Sequence, residues 1–352
     1  MAYTTIDDPE LYFQTKIYTG NGADNRDIAL DGSVDMQPDW LWIKKRSAAA
    51  SHRLVDSVRG SSKLLFSDQN YAEVTDANEV QAFNSNGFQL GTDAAVNENG
   101  QTFVAWNWKA GTSFTNDASS TGIGSIDSAG SFNNDSGFSI VSYTGTGSAG
   151  TIKHGLNSAI KMIITKGRSF ADDWLCYHSS LGNGKYIILN KTNAEASSAL
   201  PWNSTSPTSS VFSVGSSGTT NNNGGTIIAY CFAEKQGYSK FGSYTGNGNA
   251  DGTFVYTGFK PAFVMTKPSN KTGEWFMIDN KRDPSNYVRR RLKANSNAAE
   301  NTDDNQDFDI LSNGFKPRRS AGDWNSSGDT FIYMAFAENP FVTSTGVPAT
   351  AR

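Results

Sequence analysis

One ten-residue pattern occurs three times in this chain, and its repetition limits the possible folds more than any single residue does. The copies are Gly100-Gln101-Thr102-Phe103-Val104-Ala105-Trp106-Asn107-Trp108-Lys109, Gly224-Gly225-Thr226-Ile227-Ile228-Ala229-Tyr230-Cys231-Phe232-Ala233 and Gly328-Asp329-Thr330-Phe331-Ile332-Tyr333-Met334-Ala335-Phe336-Ala337. Each begins Gly-X-Thr and continues as an apolar run rich in β-branched and aromatic types, which reads as a turn feeding a buried strand. Side chains alternate across a strand. One face therefore carries Val104, Trp106, Trp108, Ile228, Tyr230, Phe232, Ile332, Met334 and Phe336. The other carries Phe103, Ala105, Asn107, Ile227, Ala229, Cys231, Phe331, Tyr333 and Ala335. The bulky face is expected to fill a sandwich core. The smaller face is still apolar, so it too must be covered, by a loop, another repeat or a partner subunit.

Other landmarks keep step. Tyr-Thr-Gly-X-Gly stands at Tyr18, Tyr143 and Tyr244, which lie 82, 81 and 84 residues before Gly100, Gly224 and Gly328. An apolar strand ending in lysine follows in each copy, at Lys44, Lys166 and Lys267. Next come His52 to Asp56, Trp174 to His178 and Trp275 to Asp279. The spacing predicts an all-β protein of three tandem β-sandwich or jelly-roll repeats, each about 100 residues long. The boundaries are an arm at 1–12, repeats at 13–111, 137–235 and 236–341, and a tail at 342–352. Residues 112–136, rich in Ser, Gly, Asn and Asp, read as a flexible linker that lets the first repeat sit apart. The short join from Lys235 to Lys240 holds the other two together. The terminal arms are expected to dock on a neighbouring subunit.

Composition excludes several functions. The 352 residues carry a net charge of -4, which gives no global attraction to nucleic acid or to anionic membranes. No apolar run is long enough to cross a bilayer, and the first residues lack the pattern of a secretory signal, so membrane insertion is not expected. Cys176 and Cys231 fall in strand patterns and read as buried free thiols.

Candidate chemistry is sparse, and the chain reads as a non-enzyme without cofactor or metal. His52, His154 and His178 share no metal-binding spacing, and His178 reads as a strand-end surface residue because Asp stands at that position elsewhere. No nucleophile elbow, phosphate loop or dinucleotide fingerprint is present. Asp24 to Asp27 and Asp303 to Asp309 are acidic enough to attract calcium, but neither has EF-hand spacing. The second cluster is also the sole candidate for a glycosidase carboxylate pair. Arg289, Arg291, Arg318 and Arg319 are candidates for an interface with an acidic partner, or else form a solvated rim, with Arg290 pointing to the opposite sheet face. Trp202 and Trp324 lie in Ser-, Asn- and Pro-rich stretches and are the candidate ligand contacts. Trp106 and Trp108 belong to the repeated strand.

The three repeats, the Tyr244-Thr245-Gly246-Asn247-Gly248 turn and the ending Ala335-Phe336-Ala337-Glu338-Asn339-Pro340-Phe341 resemble a family of marine bacteriophage virion proteins related to tail fibres. The resemblance covers the chain from Leu11 onward and rests on structural motifs. It implies lectin-like sandwiches resembling concanavalin or SPRY domains, and no catalytic residues. It further implies a particle component assembled in the host cytoplasm, with other virion proteins as partners and a homotrimer as the expected assembly. The leading expectation is a tail-fibre or appendage protein that attaches to a host surface glycan. A capsid decoration or fibre-anchoring protein is the alternative, and a polysaccharide-degrading enzyme stands behind both.

Overall fold

The computed structural model describes residues 2–301, 308–320 and 322–349. Nearly all regular structure is antiparallel β. The first repeat places its first strand, Phe13–Thr19, beside its last, Thr102–Trp108, which pairs on its other edge with Trp40–Lys45, followed by Arg53–Asp56. The same order recurs with Phe138–Thr144, Thr226–Ala233, Ile160–Gly167 and Leu175–His178. It recurs again with Ser239–Thr245, Thr330–Pro340, Phe259–Pro268 and Phe276–Asp279. Register agrees across the three. Tyr18, Tyr143 and Tyr244 face Phe103, Ile227 and Phe331, while Trp40, Met162 and Phe263 face Trp108, Phe232 and Phe336.

Each large sheet is backed on its outer side by a small one. These are Arg26–Ala29 with Gly87–Leu90 and Val80–Asn84, then Gly150–Lys153 with Val211–Val214, then Val255–Tyr256 with Gly314–Pro317 and Phe308–Leu311. Between large and small sheets lie three separate cores, one per repeat. The smaller face of the repeated strand fills them: Phe103 and Ala105 in the first, Ile227, Ala229 and Cys231 in the second, Phe331, Tyr333 and Ala335 in the third. The bulky face points the other way. All nine of its residues, Val104 through Phe336, join one core shared by the three repeats. The assignment of faces from side-chain size is thus reversed. A short partner sheet closes over a mixture of large and small inward residues, whereas filling the space between three converging sheets takes most of the tryptophans of the repeated strands.

That shared core links every pair of repeats. Trp40 stacks on Tyr230 at 4.3 Å, Phe13 lies 5.8 Å from Phe263, and Phe232 lies 5.9 Å from Phe336, centroid to centroid. Burying a side chain of this size contributes about 1.5–3 kcal/mol, so the first repeat is held by the same core as the others and does not sit apart. The stretch expected to be a linker is ordered as well: Thr112–Asn116 and Ser128–Asn133 pair with each other and extend the second repeat's large sheet. Phe114 and Phe132 give that hairpin its apolar contact with the second core.

The Tyr-Thr-Gly signal proves to be a clasp. Tyr18, Tyr143 and Tyr244 donate their hydroxyls to the carbonyls of Val96, Thr220 and Trp324 at 2.8, 2.6 and 2.8 Å. A Cβ on Gly20, Gly145 or Gly246 would stand 2.1–2.2 Å from a carbonyl oxygen of the facing loop, so only glycine fits. Buried Asn97, Asn221 and Asn325 complete each turn, accepting from the backbone N–H of Asn21, Thr146 and Asn247 at 3.1, 2.8 and 3.1 Å. The terminal arms dock on this chain's own body. Thr4 Oγ1 donates to the Gln236 carbonyl, Ile6 enters the shared core, and Asp7 accepts from the backbone N–H of Ser344 at 2.6 Å.

Candidate functional site

The strand-end positions that look chemically active lie between repeats. Asp56 and Arg59 form a fully buried pair, and the Tyr230 hydroxyl of the second repeat donates to Asp56 Oδ2 at 2.7 Å. The third repeat has the same device in Asp279 and Arg282, and Trp106 Nε1–H of the first repeat donates to Asp279 Oδ2 at 3.0 Å. At the remaining junction the positions read His178, Leu181 and Met334. A thioether cannot donate, and His178 Nε2–H turns to the Tyr333 carbonyl at 3.1 Å. His178 is therefore buried rather than a surface residue, because a neighbouring repeat covers the strand end.

Two further sets run round the molecule in the same cyclic sense. The lysines that end the apolar strands are buried. Lys44 donates to the Asn297 carbonyl of the third repeat, Lys166 to Asn70 of the first, and Lys267 to Thr192 of the second, at 3.3, 3.4 and 2.9 Å. Burial lowers all three to about 8. His52 Nε2–H, Trp174 Nε1–H and Trp275 Nε1–H likewise donate to Lys293, Phe66 and Ile188 carbonyls at 2.9, 2.8 and 2.8 Å. Burial lowers His52, His154 and His178 to about 4. His52 Nδ1 accepts from Trp42 Nε1–H at 2.8 Å, so its ring is committed on both nitrogens. These groups hold the fold together and are closed to substrate. Both cysteines are buried, with their thiols pushed up by desolvation.

The two tryptophans expected to meet ligand do not reach the surface. Trp202 and Trp324 are each 1% exposed. Trp202 packs edge-on against Tyr177 in the second core, and Trp324 stacks on Phe276 at 4.7 Å and lies edge-on to Phe308 at 4.1 Å in the third. Polar sequence around them marks turns that fold the ring inward. The arginine candidates separate too. Arg291 is buried with its guanidinium over the Phe276 ring, whereas Arg289 is exposed beside Tyr287. Arg290 is exposed as well and the segment is not a regular strand, so strict alternation does not apply to it. Arg318 and Arg319 line a cavity of about 450 Å³ with Ala250, Asp251, Tyr287 and Ser320. Asp251 answers both Lys316 and Arg318 there.

The acidic clusters give no catalytic pair among the described residues. Asp303 to Asp307 lie outside them, and Asp309 sits 3.4 Å from Arg318 Nε. Asp76, Glu79 and Asp93 bring carboxylate oxygens within 4.8 Å of one another. Glu79 already accepts from Arg53 Nε at 2.7 Å, and Asp93 caps a helical turn through the Ala95 N–H.

The three small sheets differ at their outward positions. In the first, Ile28 and Ala29 pair with Phe88 and Gly87, while Asp27 pairs with Gln89. In the second, Ile152 and Lys153 pair with Phe212 and Val211, while Thr151 pairs with Ser213. In the third, Val255 and Tyr256 pair with Phe315 and Gly314. The inward residues Ile28, Ile152 and Val255 are equivalent and buried. The outward positions carry Asp27 and Ala29, then Thr151 and Lys153, and then Phe254 and Tyr256. Phe254 is 45% exposed and Tyr256 52%. Alternation alone did not single them out, because aromatic residues in a strand pattern read as core.

Tyr256 also borders a cavity of about 290 Å³, whose wall includes Tyr3 of the N-terminal arm, Glu234, Gln236, Ser239 and Lys240. The hydroxyls of Tyr3 and Tyr256 are 3.2 Å apart, and Tyr3 donates onward to the Gly258 carbonyl at 2.7 Å. Lys240 Nζ lies 2.8 Å from Glu234 Oε1. Fold and surface together describe an all-β protein of packed antiparallel sheets with one aromatic outer face. The family model described as Domain of unknown function (DUF7483) matches residues 8–340, and the chain belongs to that family. No curated protein matches it, and no solved structure does. Among the described residues, no helix is long and apolar enough to cross a membrane.

Proposed function

We propose that the protein is a bacteriophage virion component, an appendage that attaches to a host surface glycan through the outer face of its third repeat. One observation carries the reading. The same two outward positions hold Asp and Ala in one copy and Thr and Lys in another, so the fold does not need rings at Phe254 and Tyr256. Large exposed rings that contribute little to folding are the usual means of gripping a partner with an apolar face. The resemblance to tail-fibre-related proteins supplies the biological setting. The burial of the histidines, cysteines and lysines supports a binding role over an enzymatic one.

The test is adsorption. Recombinant protein should bind susceptible cells and compete with virions for them, and labelled antibody should place the chain on a tail appendage. Absence of binding to susceptible cells, with the chain bound tightly to capsid instead, would replace this reading with a decoration role.

A further inference from the structure

Resting on the adhesion reading, we infer that the cavity between Tyr3 and Tyr256 is its sugar subsite and takes a single uncharged pyranose unit. Size sets the first limit. At about 290 Å³ the cavity is at the lower end of ligand pockets, which suits one ring and not an extended chain.

The wall sets the chemistry. Tyr256 offers an exposed ring whose hydroxyl is steadied by Tyr3, and Tyr3 is steadied in turn by its bond to Gly258. An amphipathic ring with one face apolar and its edge wet matches a pyranose, which has axial C–H groups on one face and hydroxyls round its rim. Phe254, two residues earlier, is exposed beside the cavity without lining it. Glu234 and Lys240 also line the cavity, as an ion pair, half-exposed and mutually neutralised. A carboxylate acceptor beside an ammonium donor can grip two neighbouring hydroxyls, while their balanced charge leaves no cation free for an acidic sugar. An uncharged hexose or N-acetylhexosamine is therefore favoured over a uronic or sialic acid.

The subsite occurs once per chain. It needs the arm carrying Tyr3, which Thr4 pins to the Gln236 carbonyl at 2.8 Å, and it needs the aromatic outward position that only the third repeat has.

The full chain is titrated with methyl glycosides of glucose, galactose, N-acetylglucosamine and glucuronic acid, with saturation-transfer NMR as readout and cell adsorption in parallel. We expect an uncharged glycoside to bind, Tyr256→Ala to weaken it at least tenfold, and Tyr256→Phe to keep most of the affinity. Phe254→Asp with Tyr256→Ala installs the pair that the first repeat already carries at these positions, so folding should be retained while cell adsorption falls. Binding confined to glucuronic acid, or an uncharged glycoside bound equally by wild type and Tyr256→Ala, would overturn the subsite. Wild type that adsorbs to cells yet binds none of the glycosides would overturn the subsite and leave adhesion standing. Wild type that does neither would overturn both.

Discussion

Trp40→Ala tests whether the three repeats are one cooperative body. Trp40 is fully buried in the shared core, stacked on Tyr230 and lying 4.5 Å from Trp108 and 5.8 Å from Phe138. Replacing a buried tryptophan by alanine costs about 3–5 kcal/mol. The size of the thermal shift depends on how much of the chain unfolds with it. Unfolding entropy runs near 2.1 cal/mol/K per residue, so a single transition of the whole chain carries about 0.7 kcal/mol/K and a loss of about 4 kcal/mol lowers Tm by roughly 5–6 °C. A first repeat that melted alone would carry only about 0.2 kcal/mol/K. The same loss would then move roughly a third of the heat by about 20 °C and leave the rest in place. Differential scanning calorimetry separates the two cases, with hydrogen exchange to locate the change. We expect one transition, shifted by a few degrees, with protection falling also at Tyr230 and Phe263. A split transition with the second and third repeats unshifted would refute the shared-core argument.

Other expectations follow from single features. Histidines held at about 4 in the folded state and near 6.5 when unfolded leave the unfolded chain binding more protons between those values. Stability should therefore fall as pH drops from 6.5 to 4, by up to about 3 kcal/mol per histidine, partly offset by Glu79, which burial raises to about 7; urea melts at pH 7.5, 6 and 5 measure it. The buried lysines, held at about 8, give the same sign at higher pH, so stability should rise between pH 8 and 10. Asn221→Ala removes bonds to Thr146 N–H, Ser148 O and Gly215 O, leaves buried backbone groups unmatched and should cost about 2–4 kcal/mol by chemical denaturation. Cys176 and Cys231 should resist a thiol reagent in the native protein and react once it is denatured; fast native labelling would contradict their burial.

Strand content and the register of the repeat were legible because period-two alternation and Gly-X-Gly turns are local signals. The strands at Thr226–Ala233 and Thr330–Pro340 contain the predicted runs. What the strand faced was not legible. Alternation says that Tyr230 and Ala229 point opposite ways, and nothing local says which side meets two other sheets. The lysines at 44, 166 and 267 were visible as strand markers, but their reach into a neighbouring repeat depends on how the repeats converge. Asn97, Asn221 and Asn325 did leave a signal, since each stands three residues before the glycine of the repeated strand. Trp202 and Trp324 misled because polar neighbours describe the loop and not the direction of one ring. Phe254 and Tyr256 were hidden for the converse reason.

The three junctions between the repeats are not alike. Two of them pair Asp and Arg under a donating ring, Asp56 and Arg59 under Tyr230 and Asp279 and Arg282 under Trp106. A buried carboxylate is tolerated there because the guanidinium neutralises it and the ring occupies a remaining lone pair. The third differs at all three positions, which hold His178, Leu181 and Met334. Removing any one alone would strand a buried charge or an unpaired donor, so the three positions are energetically coupled. In a trimer of identical subunits such a change would fall on all three junctions at once. With three copies in one chain, a single corner can differ while the shared core keeps its shape. The outer faces follow the same logic. Ala29, Lys153 and Tyr256 sit on equivalent paired backbone, with Asp27, Thr151 and Phe254 two residues before them, so what distinguishes them is not required by folding. Symmetry in this molecule marks what holds it together. Function is to be sought where one copy departs from the other two, and the aromatic face of the third repeat is the clearest such departure on the described surface.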